Sequence, residues 1–150
     1  MSSTNALQSE SKILTAALRA IRRRKGLRVK DAAAAMGLPL RTYQHFESGR
    51  SQLDFDRIKA FARVTDSDPY AILAAVLIGS PAFAVRCMDN KLASVLVVAV
   101  KRFDERVGDA IPHIEVGRLI AAFRKMFDDL ETDLQDRDDQ ARAWLEGDEP

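Results

Sequence analysis

The segment LPLRTYQHFESGR, residues 38–50, mixes aromatic rings with side chains that donate hydrogen bonds. On a helix with about 100° per residue, Tyr43 and Phe46 lie on one side, and Arg41 and His45 point away from it together. We expect the two rings to be buried. The arginine and the histidine are then free on the surface to donate hydrogen bonds to a polar or anionic ligand.

The sequence lacks the residues that metal binding, disulfide formation or catalysis would need. The two histidines, His45 and His113, lie in different regions, and the single Cys87 excludes an intramolecular disulfide and a multi-cysteine zinc site. No nucleophile–base arrangement and no glycine-rich phosphate loop is present. The sequence therefore predicts a protein that is not an enzyme and that has no cofactor or metal. We expect Cys87 to be a small buried apolar residue.

The cellular location of the protein is predicted from two sequence features, the first ten residues and the longest apolar stretch. The first ten residues have no basic-then-apolar secretory pattern, and the single cysteine suits a reducing compartment. The longest apolar stretch, residues 95–100, is too short to span a bilayer, which takes about 20 residues. A cytoplasmic protein is expected.

The small net charge of +1 conceals two halves of opposite sign. Residues 1–78 carry 13 lysines and arginines against 7 aspartates and glutamates, a net charge of +6. Residues 79–150 carry 10 against 15, a net charge of −5. The basic half suits a polyanionic partner, and the acidic half does not.

Apolar periodicity predicts an all-α fold with two parts. A polar tail over residues 1–9 is expected to be disordered, and a five-helix domain follows over residues 10–79. A small helical domain is predicted over residues 80–146, before a disordered tail at 147–150. The predicted helices cover residues 10–25, 29–36, 39–47, 54–65, 69–79, 81–88, 90–107 and a last helix from 114 to 134 or 144.

Two details of these helices can be tested directly. Asp54, Asp68, Ser80 and Asp89 are the expected N-cap residues. The stretch VLVVAV, residues 95–100, could also form a buried strand, but the apolar residues around it at helical spacing favour a helix.

The second and third helices are joined in a pattern typical of a helix-turn-helix. Ala33 lies four residues before Gly37, whereas Tyr43 and Phe46 lie six and nine residues after it. A small residue lets two short helices cross closely, and a glycine adopts the left-handed conformation of a sharp turn. The second helix of such a unit typically lies in the major groove of DNA.

The sequence resembles the Cro/C1-type (XRE-family) helix-turn-helix family of phage and bacterial repressors, from about Ile13 to Ile72. The matching residues are Leu18 and Arg22, "GL" at 26–27, Ala33, Met36, "GL" at 37–38, Thr42-Tyr43, "FESGR" at 46–50, Ile58, Phe61 and Ala62. The resemblance implies a five-helix domain that binds double-stranded DNA.

The family pattern also implies residue roles, which we transfer by position. The residues expected to reach base edges are Leu40, Arg41, Gln44 and His45. Those expected near phosphates are Arg28, Lys30, Thr42, Ser48, Arg50 and Ser51. Arg22 and Glu47 would form a structural ion pair. The basic run at residues 22–25 is therefore interpreted as the end of a helix that contributes one buried ion pair, and less readily as a patch that contacts DNA.

The sequence departs from this pattern at four positions. Arg28 replaces the usual serine or threonine before the second helix, and Val29 replaces the glutamine that opens it. Pro39 stands at the usual cap of the third helix, and Leu40 is apolar at a position that often contacts bases. Arg28 is thus a better candidate than Val29 for a contact with the DNA backbone. These departures also leave the DNA sequence that the protein recognises unpredictable.

The last helix carries apolar residues at alternating three- and four-residue steps, the pattern of a helix-pairing seam. The seam residues assigned to dimerisation are Ile120, Phe123, Phe127, Leu130 and Leu134. The seam could instead cover the 90–107 helix of its own chain. Acidic clusters such as those at 128–129 and 138–139 usually form solvated faces of a helix. The alternative is that they bind a protein partner.

Three classes of function are compared. The favoured one is a sequence-specific DNA-binding transcriptional regulator, a repressor more simply than an activator, that binds inverted-repeat operators as a homodimer. The alternative is an antitoxin-like protein or activator whose acidic C-terminal half binds a toxin or RNA polymerase. An enzyme lacks support, and the self-cleaving phage repressors need a strand-rich domain that this helical half does not predict.

Overall fold

The computed structural model describes residues 2–147, and every regular element in that range is helical. The elements are α1 (Ser2–Arg24), α2 (Val29–Ala35), α3 (Leu40–Glu47), α4 (Phe55–Thr65), α5 (Pro69–Ile78), α6 (Pro81–Arg86), α7 (Leu92–Val107), a 3-10 helix (Gly108–His113) and α8 (Val116–Glu146). This confirms the predicted all-α class. Residues 95–100 lie inside α7, which rules out the strand interpretation.

The first helix begins earlier than the sequence predicted. Residues 2–9, expected to be part of a disordered tail, form the first turns of α1. Side chains 4–10 are exposed, whereas Leu14, Ala17, Leu18 and Ile21 are buried. The buried residues of α1 hold its later turns in place. Once those turns have formed, adding further helical turns before them costs little free energy. Residue 1 and residues 148–150 of the two predicted tails lie outside the described residues.

Two compact units divide the chain, Met1–Arg102 and Phe103–Pro150. The first unit extends well past residue 79, where the domain boundary was predicted. Helix α6 packs against both α1 and α5, and its Ala84 belongs to the same hydrophobic core. The apolar side of α6 is therefore buried in the same core as α1 and α5, whereas the predicted boundary at residue 79 separates α6 from them.

The core of the first unit is built around α1. Its fully buried large side chains come from five segments of the chain: Leu18, Ile21, Tyr43, Ile58, Phe61, Ile72 and Met88. Helix α1 packs against α3, α5 and α6, and the same core includes residues of α4 and Met88, which follows α6. This packing fixes the position of α3, the helix that carries the candidate recognition residues.

Three of the four predicted N-cap residues, Asp54, Asp68 and Ser80, occupy N-cap positions, and the prediction of Asp89 is wrong. Asp54 accepts backbone hydrogen bonds at the start of α4, and Asp68 does so at the start of α5. The Ser80 side chain makes no capping hydrogen bond. At α7 the capping acceptor is Asn90 instead of Asp89, because Lys91 adopts a left-handed φ of 54° and delays the helix to Leu92.

Asp68 does more than cap a helix. Its Oδ1 accepts the N–H groups of Tyr70 and Ala71 at 3.1 and 3.2 Å. Its carboxylate also accepts the backbone N–H of Ser94 at 3.1 Å and the Ser94 hydroxyl at 2.7 Å. Asp68 is fully buried, so this one carboxylate joins the start of α5 to the first turn of α7.

Cys87 is buried, as predicted, in a small cluster with Ala71 and Ala93. Burial raises the pKa of its thiol, and the nearby Asp68 carboxylate adds to this effect. Within the described residues, no helix has both the length and the apolar character that crossing a membrane requires.

We predict that Asp68→Ala destabilises the protein more than Asp54→Ala, its matched control. Loss of a helix cap alone should cost about 1 kcal/mol at Asp54. Asp68→Ala should cost about 2–4 kcal/mol, because it also leaves the partly buried donors of Ser94 without an acceptor. Urea unfolding at one fixed protein concentration measures both values. Equal losses would show that the bonds from Ser94 add no stability.

Candidate nucleic-acid interface

Helices α2 and α3 form the two arms of a helix-turn-helix. They are joined at Gly37, whose φ of 66° is the left-handed conformation predicted for the corner. The Leu38 N–H closes the turn by donating to the Ala33 carbonyl at 2.9 Å. Ala33 is only 3% exposed, so its small side chain sits where the two helices approach each other.

Helix α3 has the orientation that the sequence predicted. Tyr43 and Phe46 are buried, and their ring centroids lie 6.0 Å apart in an edge-to-face arrangement. Phe46 also packs on Phe61 of α4 at 6.0 Å. On the opposite side, Arg41 is exposed and His45 is half-buried. The aromatic pair thereby fixes the rotation of α3 about its own axis.

One open groove contains all four residues predicted to contact base edges: Leu40, Arg41, Gln44 and His45. Two of the predicted phosphate contacts, Ser48 and Arg50, lie on the same surface. Ser48 donates its hydroxyl to the His45 carbonyl at 3.1 Å, which leaves the hydroxyl oxygen free to accept. The groove therefore combines hydrogen-bonding groups, one exposed apolar side chain and cationic groups.

Arg19 belongs to this groove and was not singled out by the sequence analysis. It lies three residues before Arg22 on α1, and this spacing places the two arginines on the same face of the helix. Its Nε is 3.6 Å from the Glu47 carboxylate, and its side chain is 47% exposed. The three-residue spacing was the available signal, and Arg19 adds a cation beside α3.

The other predicted phosphate contacts, Arg28, Lys30, Thr42 and Ser51, do not line this groove. Lys30 is exposed and Thr42 is half-buried. Ser51 lies in a separate depression that also contains Asp54 and Asp56, a setting less favourable for an anion. The structure therefore groups only part of the predicted phosphate set around α3.

Arg28 has a role that the sequence did not show. Its Nε donates to the Asp31 carboxylate at 3.0 Å, while Asp31 accepts the backbone N–H of Arg28. The pair takes the place of the serine or threonine cap at the start of α2. This hydrogen bond holds the pKa of Asp31 below its usual range. A phosphate near Arg28 would have to share its guanidinium with Asp31.

Gly49 fixes the turn that follows α3. Its φ is 70°, and a Cβ at this position would lie 2.1 Å from the Ser11 hydroxyl oxygen. The same hydroxyl donates to the Gly49 carbonyl at 3.0 Å. The close approach requires a glycine and attaches the turn to α1, which places Arg50 at the edge of the groove.

The predicted ion pair between Arg22 and Glu47 is confirmed, and Tyr43 completes it. Arg22 donates from Nε and Nη2 to the two carboxylate oxygens of Glu47 at 2.8 and 2.9 Å. Its third nitrogen, Nη1, donates to the Leu27 carbonyl at 3.0 Å. The Tyr43 hydroxyl donates to Glu47 as well. All three side chains of this network are buried, and together they join α1 to α3.

The pKa of each member reflects the network. Burial alone would raise the pKa of Glu47, but the hydrogen bonds from Arg22 and Tyr43, together with the charges of Arg22 and Arg19, outweigh it and lower that pKa. The hydrogen bond to Glu47 raises the pKa of Arg22. Burial raises the pKa of Tyr43, and its bond to Glu47 adds to this. Glu47 is therefore ionised and Tyr43 is neutral at pH 7.

Comparison with known proteins agrees with this geometry. Residues 18–72 match the family model described as "Helix-turn-helix", a segment that runs from the second half of α1 into α5. The model is that of the Cro/C1-type helix-turn-helix, and the matched segment is similar to domains of that type. No curated protein and no solved structure shows significant similarity to the chain.

We predict that Glu47→Ala lowers the free energy of unfolding by about 3–5 kcal/mol, because it leaves the buried Arg22 charge without its partner. Arg19→Ala is the matched control, since it removes the exposed member of the same cluster. That loss should be below about 1 kcal/mol. Chemical denaturation measures both. A small effect of Glu47→Ala would show that water reaches the guanidinium of Arg22.

The same network predicts a dependence on pH. The folded-state pKa of Glu47 is lowered, so its contribution is present above the pKa of the unfolded carboxyl group. The contribution is lost as the pH falls through the folded-state pKa. Glu47→Gln should therefore flatten the acid side of the stability profile. Its profile and that of the unaltered protein should become more alike toward low pH.

Proposed function

We propose that this protein is a sequence-specific transcriptional regulator that binds an inverted-repeat operator as a homodimer and represses the promoter that contains it. The observation that carries the proposal is the single groove that joins Leu40, Arg41, Gln44 and His45 on the outer face of α3. The helix-turn-helix domain gives the class of protein, and these side chains give it a means of choosing a sequence.

The four side chains suit different base edges. Arg41 can donate two hydrogen bonds to O6 and N7 of guanine, the commonest specific contact in the major groove. Gln44 suits the N6 and N7 edge of adenine, and Leu40, which is 47% exposed, suits the methyl group of thymine. His45 lies deeper in the groove and can donate to an acceptor on a base or a phosphate.

Phosphate contacts would hold α3 in place without choosing a sequence. Arg50 is exposed at the edge of the groove, and Gly49 fixes the turn that carries it. Arg19 is a further candidate on the α1 side of the same groove. Arg28 and Lys30 are exposed at the start of α2 and are candidates for contacts to the flanking backbone.

A second copy of the chain is the proposed occupant of the apolar seam on α8. The seam residues Ile120, Phe123, Phe127, Leu130 and Leu134 are each between 49% and 66% exposed. No residue of α8 is buried in the single chain. A single recognition helix contacts few base pairs, and a two-fold dimer gives an operator with two related half-sites.

Repression is the mode that requires least of the protein, since a dimer that occupies a promoter blocks it without a further contact. Activation, or neutralisation of a toxin, would need a surface for another protein. The exposed acidic side chains of α8 are the candidate for that alternative. Mapping of bound sites together with transcript changes on deletion of the gene distinguishes repression from activation.

We predict different effects for Arg41 and Arg50. Arg41→Ala should relax the sequence preference at one position of each half-site and cost about 1–3 kcal/mol there. Arg50→Ala should weaken binding to all sequences alike and reduce the slope of binding against salt by about one unit. Arg63→Ala, an exposed arginine on α4, is the control for loss of charge. Binding to randomised duplexes at several salt concentrations gives all three results.

Two results would contradict this assignment. If Arg41→Ala keeps the sequence preference intact, then α3 does not use this residue on base edges. If Arg63→Ala changes the salt slope as much as Arg50→Ala, then Arg50, in the turn after α3, makes no specific contact with the DNA phosphates. All three variants must first show unchanged melting, so that a loss of folding is not mistaken for a loss of contact.

We predict that the operator is an inverted repeat whose half-sites lie about 10 base pairs apart, centre to centre, which is the spacing of about 34 Å for one duplex turn. Phe123→Asp combined with Phe127→Asp should yield a monomer with much weaker operator binding. Asp128→Asn with Asp129→Asn, on the same stretch of α8, is the control and should keep the dimer. Sedimentation at micromolar concentration and footprinting test this. A monomer bound to a single half-site would refute the dimer.

A further inference from the structure

Six consecutive residues of α7, at positions 95–100, are apolar, and all six are exposed in the single chain. At about 100° per residue, six consecutive positions cover every side of a helix. The exposed fractions of the five large residues run from 37% at Leu96 to 62% at Val95. The buried residue of α7 is Ala93, so the helix is packed at its start and open beyond it.

This pattern differs from that of a helix that lies on a protein surface. Such a helix has an apolar stripe on one side and polar residues on the other, whereas a helix that is apolar all round is typical of a buried position. After Ser94, the polar side chains of α7 begin again only at Lys101. The stretch 95–100 therefore needs cover on more than one side, and a single apolar stripe covers only one.

The seam of α8 is an open apolar surface of similar size. A large apolar residue presents about 150–200 Å² when it is fully exposed, so the stretch 95–100 and the seam each present on the order of 400 Å² in a single chain. A stable complex buries about 800 Å² on each partner. The two surfaces together reach this area, and they are sufficient for a stable interface.

A second copy of the chain supplies the cover that α7 lacks. A single chain has one seam on α8, and that seam can cover one side of α7 at most. Two copies have two seams and two α7 helices, so each stretch 95–100 can gain apolar neighbours on more than one side. The stretch contains no charged or hydrogen-bonding side chain, and an apolar neighbour is therefore the one that it fits.

We propose that residues 95–100 of α7 form the centre of the homodimer and become buried on every side only when two copies assemble. This rests on the homodimer of the proposed function and adds a second element to its interface, beside the seam of α8. The C-terminal half then dimerises through two helices from each copy, which share one apolar core as helices do in a bundle.

Thiol labelling measures the cover on each side of α7. Four consecutive positions sample the four sides of a helix, so each receives a single cysteine in a Cys87→Ala background: Val95→Cys, Leu96→Cys, Val97→Cys and Val98→Cys. Leu53→Cys is the matched control, because Leu53 is an apolar residue of the first unit that is 57% exposed. In the dimer, all four α7 positions should react with a maleimide about tenfold or more slowly than position 53. After dilution to monomers, they should approach the rate at position 53.

The outcomes of the labelling separate this proposal from the proposed function. A dimer in which any of the four positions reacts as fast as position 53 overturns the proposal and leaves the regulator intact. Slow reaction at all four positions in a monomer also overturns it, because the chain would then cover α7 by itself. A sample that sedimentation shows to be monomeric at every concentration overturns the homodimer of the proposed function, and this proposal with it.

Charge on opposite sides of α7 gives a second test. Val95 and Val97 lie about 200° apart around the helix, on nearly opposite sides. Val95→Asp and Val97→Asp, made separately, should each raise the dimer dissociation constant by about a hundredfold or more, because each buries an unpaired carboxylate in the dimer. Leu53→Asp is the matched control and should leave the constant unchanged.

Both substituted positions are exposed in the single chain, so the variants should keep their helical content, which circular dichroism measures. A rise for only one of the two α7 variants would show that α7 is covered on one side, and this result overturns the proposal. An unchanged constant for both variants overturns it as well. So does an equal rise for Leu53→Asp, because an added negative charge anywhere on the chain would then explain the effect.

Discussion

The buried network of Arg22, Glu47 and Tyr43 is the interaction on which the position of α3 depends. It joins α1 to α3 through a two-pronged guanidinium–carboxylate contact, and the tyrosine hydroxyl occupies a further site on the carboxylate. A buried pair of this kind gains little stability over an apolar pair of the same shape, yet breaking it from one side is costly. Its effect is to allow α3 only one place on α1.

Other features complete that placement. The aromatic contact of Tyr43 with Phe46 fixes how α3 is rotated about its axis. Gly49 lets the following turn approach α1 so closely that the Ser11 hydroxyl contacts its carbonyl. The charged pair at Glu47 and the turn at Gly49 thus both fix the C-terminal end of α3. The exposed side chains are held at the surface before any ligand arrives, which reduces the entropy lost on binding.

Much of this arrangement could be predicted from the sequence, because it depends on spacing along the chain. The positions of Gly37, Tyr43 and Phe46 indicate the turn and the inward face of α3. The Arg22–Glu47 pair followed from the family pattern. These features depend on short-range spacing or on the family pattern, and the structure has them where the sequence placed them.

The remaining features depend on contacts between distant segments. The bond of Ser94 to Asp68 joins residues 26 positions apart, and no local pattern indicates it. The packing of α6 on α1 moves the limit of the first unit far beyond the predicted boundary. The cap at Asn90 follows from the left-handed backbone of Lys91, a residue type that rarely adopts it. Each of these is decided by tertiary structure, which a single sequence does not display.

The outer surface of α7 has a consequence for the life of the protein in the cell. Val95, Val98 and Val100 are each about half exposed or more, and the seam of α8 is equally open in a single chain. In the proposed homodimer the seam of α8 is covered, whereas a single copy leaves it open, and such apolar surface promotes aggregation and engages chaperones and proteases. Dilute copies would be removed faster than assembled ones. The amount of regulator would then rise more steeply than its rate of synthesis, so that a modest change in expression could act as a threshold.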